Sequence, residues 1–261
     1  MLRYLKLTAV AAIATLVFTA AATAQTGSRL DQIISKGTLR VGMTGDYRPF
    51  TFLNPTTSKF EGFDVDMAEA LGKAIGVKVE FVKTSWPTMM KDFEADKFDV
   101  VTGGVSITLD RQKKGLFSSA IMREGKTPIA RCGDVSKYQT LEQIDKPETR
   151  VIVNPGGTNE KFARAHLKSA KITVYQDNVT IFDQIAKGDA DLMMTDASET
   201  RFQQKQHAGV LCSVHPDHPF DFSEKGIWMQ RDVALRDFID LWLHTMIETG
   251  DYKTLFAKYF N

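Results

Sequence analysis

The sequence predicts an α/β protein of two lobes, each a mostly parallel sheet flanked by helices. Two observations carry this. Apolar runs of strand length alternate with segments of helical period along most of the chain. The same grammar then occurs twice. Residues 93–102 (FEADKFDVVT) and 185–194 (IAKGDADLMM) each read as a helix end, a polar turn and an apolar strand with an Asp near its start.

The elements follow in order. Residues 1–24 begin with Arg3 and Lys6, continue through an Ala-rich apolar stretch and end on Ala22-Thr23-Ala24, a small-x-small cleavage signature. They predict a secretory signal peptide rather than a membrane anchor. No Cys follows the cleavage site, so no lipid anchor is expected. The first strand is TLRVGM (38–43). Phe63, Met67, Ala70, Leu71 and Ile75 share one helical face, and Gly76 stops that helix. Residues 77–82 alternate as a strand. Pro87 suits the first turn of a helix through Met90 and Phe93. Residues 98–102 form the next buried strand. The second round has strands at 150–153, 171–175 and 191–195, with helices opening at Gly156-Gly157-Thr158 and spanning 179–185. A final helix over 234–259 returns to the first lobe. The predicted division is therefore 25–128 and 224–261 for lobe 1 and 129–223 for lobe 2, joined by two crossings that would act as a hinge.

Composition narrows the function classes. Of 261 residues, 43% are hydrophobic and 25% charged, which suits a folded core. The net charge of +1 goes to −1 when Arg3 and Lys6 leave with the leader, and no basic run stands out. A nucleic-acid partner is not expected. Cys132 and Cys212, in an exported chain, read as one disulfide, with two separate buried thiols as the alternative. The five histidines show no ligand spacing, so neither metal nor organic cofactor is expected.

Open α/β sheets bind ligands beyond the carboxyl ends of their strands. Four loops stand there: 44–50 (TGDYRPF), 84–87 (TSWP), 102–111 (TGGVSITLDR) and 154–159 (NPGGTN). Together they resemble an anion site. Gly103 and Gly104 allow close backbone approach, Ser106 and Thr108 supply hydroxyls, and Arg111 supplies a planar fork for a carboxylate. Thr158 opens a helix, where free N–H groups favour negative charge. Each has a plainer alternative: Arg111 as part of a solvated cluster with Lys113 and Lys114, Trp86 as core, Thr158 as an N-cap. Asp196 and Glu199, three positions apart in TDASE, share a helical face. Spacing alone favours a capping pair. A Glu199 turned into a cleft would instead be kept protonated by lost water and a neighbouring carboxylate, and could serve as a general acid.

GDYRPF, GFDVDMAEALG, SWP, GGVSITLDR, NPGGTNEKFA and DADLMMTDASE resemble the periplasmic amino-acid-binding proteins of ABC transporters. The longer strings TSWP, NPGGTNEKFARAHLK, DNVTIF, DLMMTDASE and HPFDFSEK are more similar to the periplasmic cyclohexadienyl dehydratases, which share that two-lobed, type II periplasmic binding protein-like fold. The resemblance covers essentially all of the chain after the leader. It implies a periplasmic carbon–oxygen lyase that converts prephenate to phenylpyruvate or arogenate to phenylalanine, with loss of water and CO2. The glutamate of the TDxxE-like motif, Glu199, would be the general acid. Arg111, Ser106, Thr108 and Thr158 would hold the substrate's carboxylates, and Asn154 and Lys126 would add polar contacts. Asp46, Phe50 and Trp86 would line the first lobe's side. Asp196 matches the position at which amino-acid-binding relatives hold a ligand ammonium. The expected partner is a small dicarboxylate; an ABC permease would enter only if the chain were a receptor.

Overall fold

The computed structural model describes residues 27–261; the leader read over 1–24 lies outside the described residues. Two five-stranded sheets form the two lobes. In the first, Thr38–Met43 pairs in parallel with Lys78–Lys83 and with Val100–Val101, and Trp228–Met229 and Leu116–Phe117 extend the sheet antiparallel. In the second, Arg150–Val153 pairs in parallel with Lys171–Val174 and Leu192–Asp196, and Lys126–Arg131 and Leu211–Ser213 extend it antiparallel. The segments joining the lobes pair with each other, Met122–Glu124 against Ser223–Lys225. That two-stranded ribbon is where the chain crosses between the two sheets.

The duplicated Asp of the sequence has the same job in both lobes. Asp99 accepts from the Arg40 backbone N–H at 2.8 Å and from its guanidinium Nη2 at 2.8 Å. Asp191 accepts from the Arg150 backbone N–H at 2.8 Å and from its Nη2 at 2.5 Å. Each pair ties the start of the lobe's first strand to the chain entering its third. A charge-assisted fork of this kind satisfies backbone and side chain together.

Most elements fall where their periodicity places them. The helix Phe63–Ile75 buries Phe63, Met67 and Leu71 and ends at Gly76 in a left-handed conformation, φ 84°. Three expectations are corrected. The helix after Pro87 starts only at Met89, because Thr88 and Met89 N–H groups first close a turn onto the Ser85 carbonyl. The buried run 98–102 contributes only Val100–Val101 to the ladder. The C-terminal helix is two, Val233–Thr249 and Asp251–Phe260, broken at Gly250, whose φ of 82° no continuous helix accommodates. The apolar period runs on through the break because both halves pack on the same lobe: Leu235, Ile239 and Trp242 join Leu39, Val41 and Phe63 in one core, with Phe256 and Phe260 against it.

Cys132 and Cys212 are disulfide-bonded across the antiparallel edge of the second sheet, closing a sequence separation of 80 residues. Cross-links of that span restrict the unfolded chain. Replacing both by Ser should lower stability by about 2–4 kcal/mol in reversible urea denaturation; an unchanged midpoint would show that the bridge constrains nothing.

Candidate active site

The strand Leu192–Asp196 runs straight into the helix Ala197–Gln206, with Asp196 at the N-cap position. Its carboxylate does not cap the helix. Oδ1 instead accepts from Lys126 Nζ at 2.5 Å, and Oδ2 from Lys225 Nζ at 2.5 Å and from the Tyr47 hydroxyl. All four residues are buried. The two ammonium groups hold the Asp196 carboxyl far below the ordinary carboxylate range, against the opposing effect of burial.

Glu199 is 1% exposed and makes no capping box either. Its Oε2 accepts from Thr195 Oγ1 at 2.5 Å. No cation pairs with it among the described residues. Burial raises its pKa well above the ordinary 4.5, and the Asp196 charge adds to this while Thr195 and Lys126 pull the other way. The result is a carboxyl biased toward its protonated form, and its Oε1 carries no protein hydrogen bond among the described residues. A relay positions it. Asn159 Nδ2 donates to Thr195 Oγ1 at 3.0 Å and to Asn154 Oδ1 at 3.0 Å, and Asn159 Oδ1 accepts from Lys126 Nζ at 2.5 Å.

Arg111 is buried while Gln112, Lys113 and Lys114 are exposed, so it is no member of a solvated cluster. Its Nη1 donates to the Ser106 carbonyl at 2.7 Å. No carboxylate pairs with it among the described residues. Burial draws its pKa down to about 10, which leaves it charged at neutral pH. Thr108 caps the short helix Leu109–Gln112, its Oγ1 accepting from the Arg111 N–H at 3.3 Å, and so fixes where the guanidinium stands. Thr158 is no cap: Gly157 holds that position, and the Thr158 hydroxyl accepts from Lys126 Nζ at 2.9 Å.

These groups line three spaces, two of which share Trp86 and Thr158. Arg111, Thr108, Thr158 and Trp86 border a space of about 510 Å³. Trp86 and Thr158 also border a space of about 250 Å³ with Ser106, Asn154, Asp196 and Lys225. Glu199 and Asp46 face each other across a third, of about 650 Å³. Asp46 accepts from Trp86 Nε1 at 3.0 Å, and burial raises its pKa. The space bordered by Asp196 and Lys225 is too tight for a ring-sized ligand as it stands, so such a ligand must enter with the lobes further apart. Across the seam Asn178 Nδ2 also donates to the Asp46 carbonyl at 2.9 Å. No group of three or more His, Cys, Asp or Glu suited to a metal occurs among the described residues.

One expected wall residue is misplaced. Phe50 is fully buried, stacked behind Tyr47 at 5.1 Å and against Phe260 at 5.4 Å, and Tyr47 presents the cleft-facing ring. Tyr47, Lys225, Asn159 and Thr195 were not singled out by sequence reasoning. Tyr47 lies inside the GDYRPF motif, and a polar aromatic beside an apolar one was the signal available. Lys225 closes the HPFDFSEK string, but nothing local marks it as buried; the partner ribbon and its contacts to Asp196 and Ser106 bury it.

The Gly103-Gly104 turn is held from beneath by Asp64, whose Oδ2 accepts from both N–H groups at 2.7 and 2.5 Å. Both glycines have positive φ, 116° and 73°. Burial raises the Asp64 pKa from 3.8 to about 6. Because the folded pKa is the higher one, its stabilising effect is complete below 3.8 and is lost as pH rises through about 6. The difference in urea midpoint between wild type and Asp64→Asn should therefore move against the wild type from pH 4 to 6.5; a constant difference would place the Asp64 pKa elsewhere.

The family model for bacterial extracellular solute-binding proteins, family 3, matches residues 39–261. A cyclohexadienyl dehydratase of Pseudomonas aeruginosa is 52% identical over 242 residues, 92% of this chain and 90% of that protein. The histidine-binding periplasmic protein of Escherichia coli is 27% identical over 85% of this chain and 87% of its own length. Among solved structures, an ancestral amino acid-binding protein described as a precursor of cyclohexadienyl dehydratase superposes with a TM-score of 0.83 at 35% identity, covering 90% of this chain and all of that one. An ancestral cyclohexadienyl dehydratase is 51% identical with a TM-score of 0.56, covering 90% and 97%.

Proposed function

The chain belongs to the bacterial extracellular solute-binding proteins, family 3, and we propose that within this fold it is a cyclohexadienyl dehydratase using Glu199 as general acid. The observation that carries the reading is a buried glutamic acid, its pKa raised well above the ordinary value by burial, with no cation paired to it among the described residues. A receptor has no use for a carboxyl group stripped of both water and counter-ion. A general acid needs one, because burial keeps the proton in place until a leaving group takes it.

The chemistry is a fragmentation driven by aromatisation. Prephenate carries a ring hydroxyl opposite a ring carboxylate, and a second carboxylate on its side chain. Arg111 takes a carboxylate through its planar fork. Glu199 gives its proton to the ring hydroxyl, the C–O bond breaks, and water departs. The electron pair comes from the bond to the ring carboxylate, which leaves as CO2. Phenylpyruvate and an ionised Glu199 remain, and solvent reloads the acid. Arogenate would follow the same path to phenylalanine. Because a carbon–oxygen bond is broken without hydrolysis, the activity is that of a carbon–oxygen lyase. Lobe closure supplies orientation and dryness. The leader read over 1–24 would deliver the protein to the periplasm, and among the described residues no helix is long and apolar enough to cross a membrane.

The rival reading, an amino-acid receptor for an ABC permease, draws on the likeness to the ancestral amino acid-binding protein. Calorimetry with lysine, arginine and histidine tests it: micromolar binding of any of them, with no turnover of prephenate, would establish the receptor. For the enzyme, Glu199→Gln should lower kcat by about 10²–10⁴-fold and leave KM nearly unchanged; full activity in this variant would remove the assignment. The acid works protonated, so kcat/KM should persist above the ordinary glutamate range and fall only as pH passes the raised pKa of Glu199. An activity lost already above the ordinary glutamate range near 4.5 would mean that the carboxyl is not desolvated in the working enzyme. Arg111→Lys should raise KM by about tenfold or more, since an ammonium cannot reproduce the bidentate fork.

A further inference from the structure

The helix Ala197–Gln206 has two working faces. Glu199, Gln203 and Gln206 border the space that Asp46 closes from the first lobe. Ser198, Arg201 and Lys205, one helical turn apart in succession, border a different space of about 740 Å³. Phe202 stands between the two and is the one residue that this second space shares with the three cleft spaces described above. Its far wall belongs to the first lobe, where Phe256 and Phe260 stack at 4.5 Å on the helix Asp251–Phe260. The strand Met122–Glu124 of the ribbon supplies the rest.

The walls select a ligand by two features. Phe202, Phe256 and Phe260 are all half-buried and leave ring surface facing the space. Such surface is best covered by another ring. Around it stand three cations, Arg123, Arg201 and Lys205, against one carboxylate, Glu124. Two of these charges are answered elsewhere. Arg201 pairs with Asp217 at 2.6 Å, and Glu124 Oε1 lies 3.3 Å from Lys225 Nζ. The buried network behind Glu124 is itself balanced, with Lys126 and Lys225 against Asp196 and Glu124. Arg123 and Lys205 are left without a carboxylate partner among the described residues; Arg123 rests only on the Phe222 ring, at 4.7 Å. The surplus is positive and favours an anion. Glu124 on the same wall limits the match to a single negative charge.

We propose that this space is a second ligand site, outside the interlobe cleft, that takes an aromatic monocarboxylate. The ring lies against Phe202, Phe256 and Phe260, and the carboxylate turns toward Arg123 and Lys205. Walls come from the second-lobe helix, the first-lobe helix and the ribbon, so a bound molecule bridges all three. The proposal does not depend on the dehydratase reading.

Titration of the isotope-labelled protein with 3-phenylpropionate at low salt, followed by amide chemical shifts, tests it. Signals of 198–205 and 255–260 should move together, with a Kd of about 1 mM or tighter. The response should persist in Arg111→Ala protein, where the cleft has lost its carboxylate clamp. Acetate, which lacks the ring, should produce no such shifts at the same concentrations, and benzylamine, which reverses the charge, should bind at least about tenfold more weakly. Lys205→Glu and Arg123→Glu, both at exposed positions, should each weaken binding by about threefold or more. Still signals at 198–205 and 255–260 overturn the proposal, as does a response that vanishes with Arg111. Equal binding of benzylamine, or affinity indifferent to both charge reversals, overturns it as well. If one reversal fails to fold, the other and the wild-type ligand series decide.

Discussion

One buried carboxylate organises this molecule. Asp196 receives Tyr47 from the first lobe, Lys126 from the second sheet and Lys225 from the crossing ribbon. Taking so many charges out of water is expensive, and only close pairing with every polar atom engaged offsets it. The surroundings supply most of it: Lys126 is shared with Thr158 and Asn159, Lys225 with Ser106 and, as an ion pair, Glu124, whose Oε1 makes no hydrogen bond. Burial of hydrocarbon of similar shape would stabilise the protein at least as well. The network is therefore better understood as a means of specifying one relative placement of the lobes and one set of charges facing the ligand.

Glu199 takes its character from the same source. Three positions beyond Asp196, it shares that residue's electrostatic environment with the opposite outcome. Asp196 is ionised because two ammonium groups reach it. Glu199 is pushed toward its protonated form by burial and by the negative Asp196 beside it, with no ammonium group paired to it among the described residues. Two carboxyls on one helical turn thus divide into a permanent anion and a proton donor, a separation made by where lysine nitrogens end rather than by the carboxyls themselves. The relay from Lys126 through Asn159 and Thr195 fixes the glutamate's orientation without giving it a charge partner.

Much of the architecture was legible in the sequence, because period and punctuation report on backbone geometry. The strands Thr38–Met43 and Arg150–Val153 fall where their apolar runs put them, and the repeated Asp proves to be a repeated fork onto Arg40 and Arg150. What was not legible depends on contacts between distant segments. Tyr47 and Phe50 occupy one short loop, and nothing local tells which ring faces the cleft; packing against Phe260, 210 positions further on, decides it. Lys225 would pass for a surface lysine until the ribbon with Met122–Glu124 buries it. The capping reading of Asp196 and Glu199 was sound on spacing, and failed because stronger partners than the helix's own N–H groups arrived from elsewhere.

The crossing ribbon carries Glu124 and Lys225 on its two strands, so bending it displaces the charges that surround the active carboxyls. Parting the lobes would also return Glu199 to water, where a glutamic acid dissociates. An open molecule would then be the weaker base at this site and the closed one the stronger, so closure would draw a hydrogen ion from the medium. By linkage, acidity of the surroundings becomes a co-ligand that favours the closed shape even before any substrate arrives.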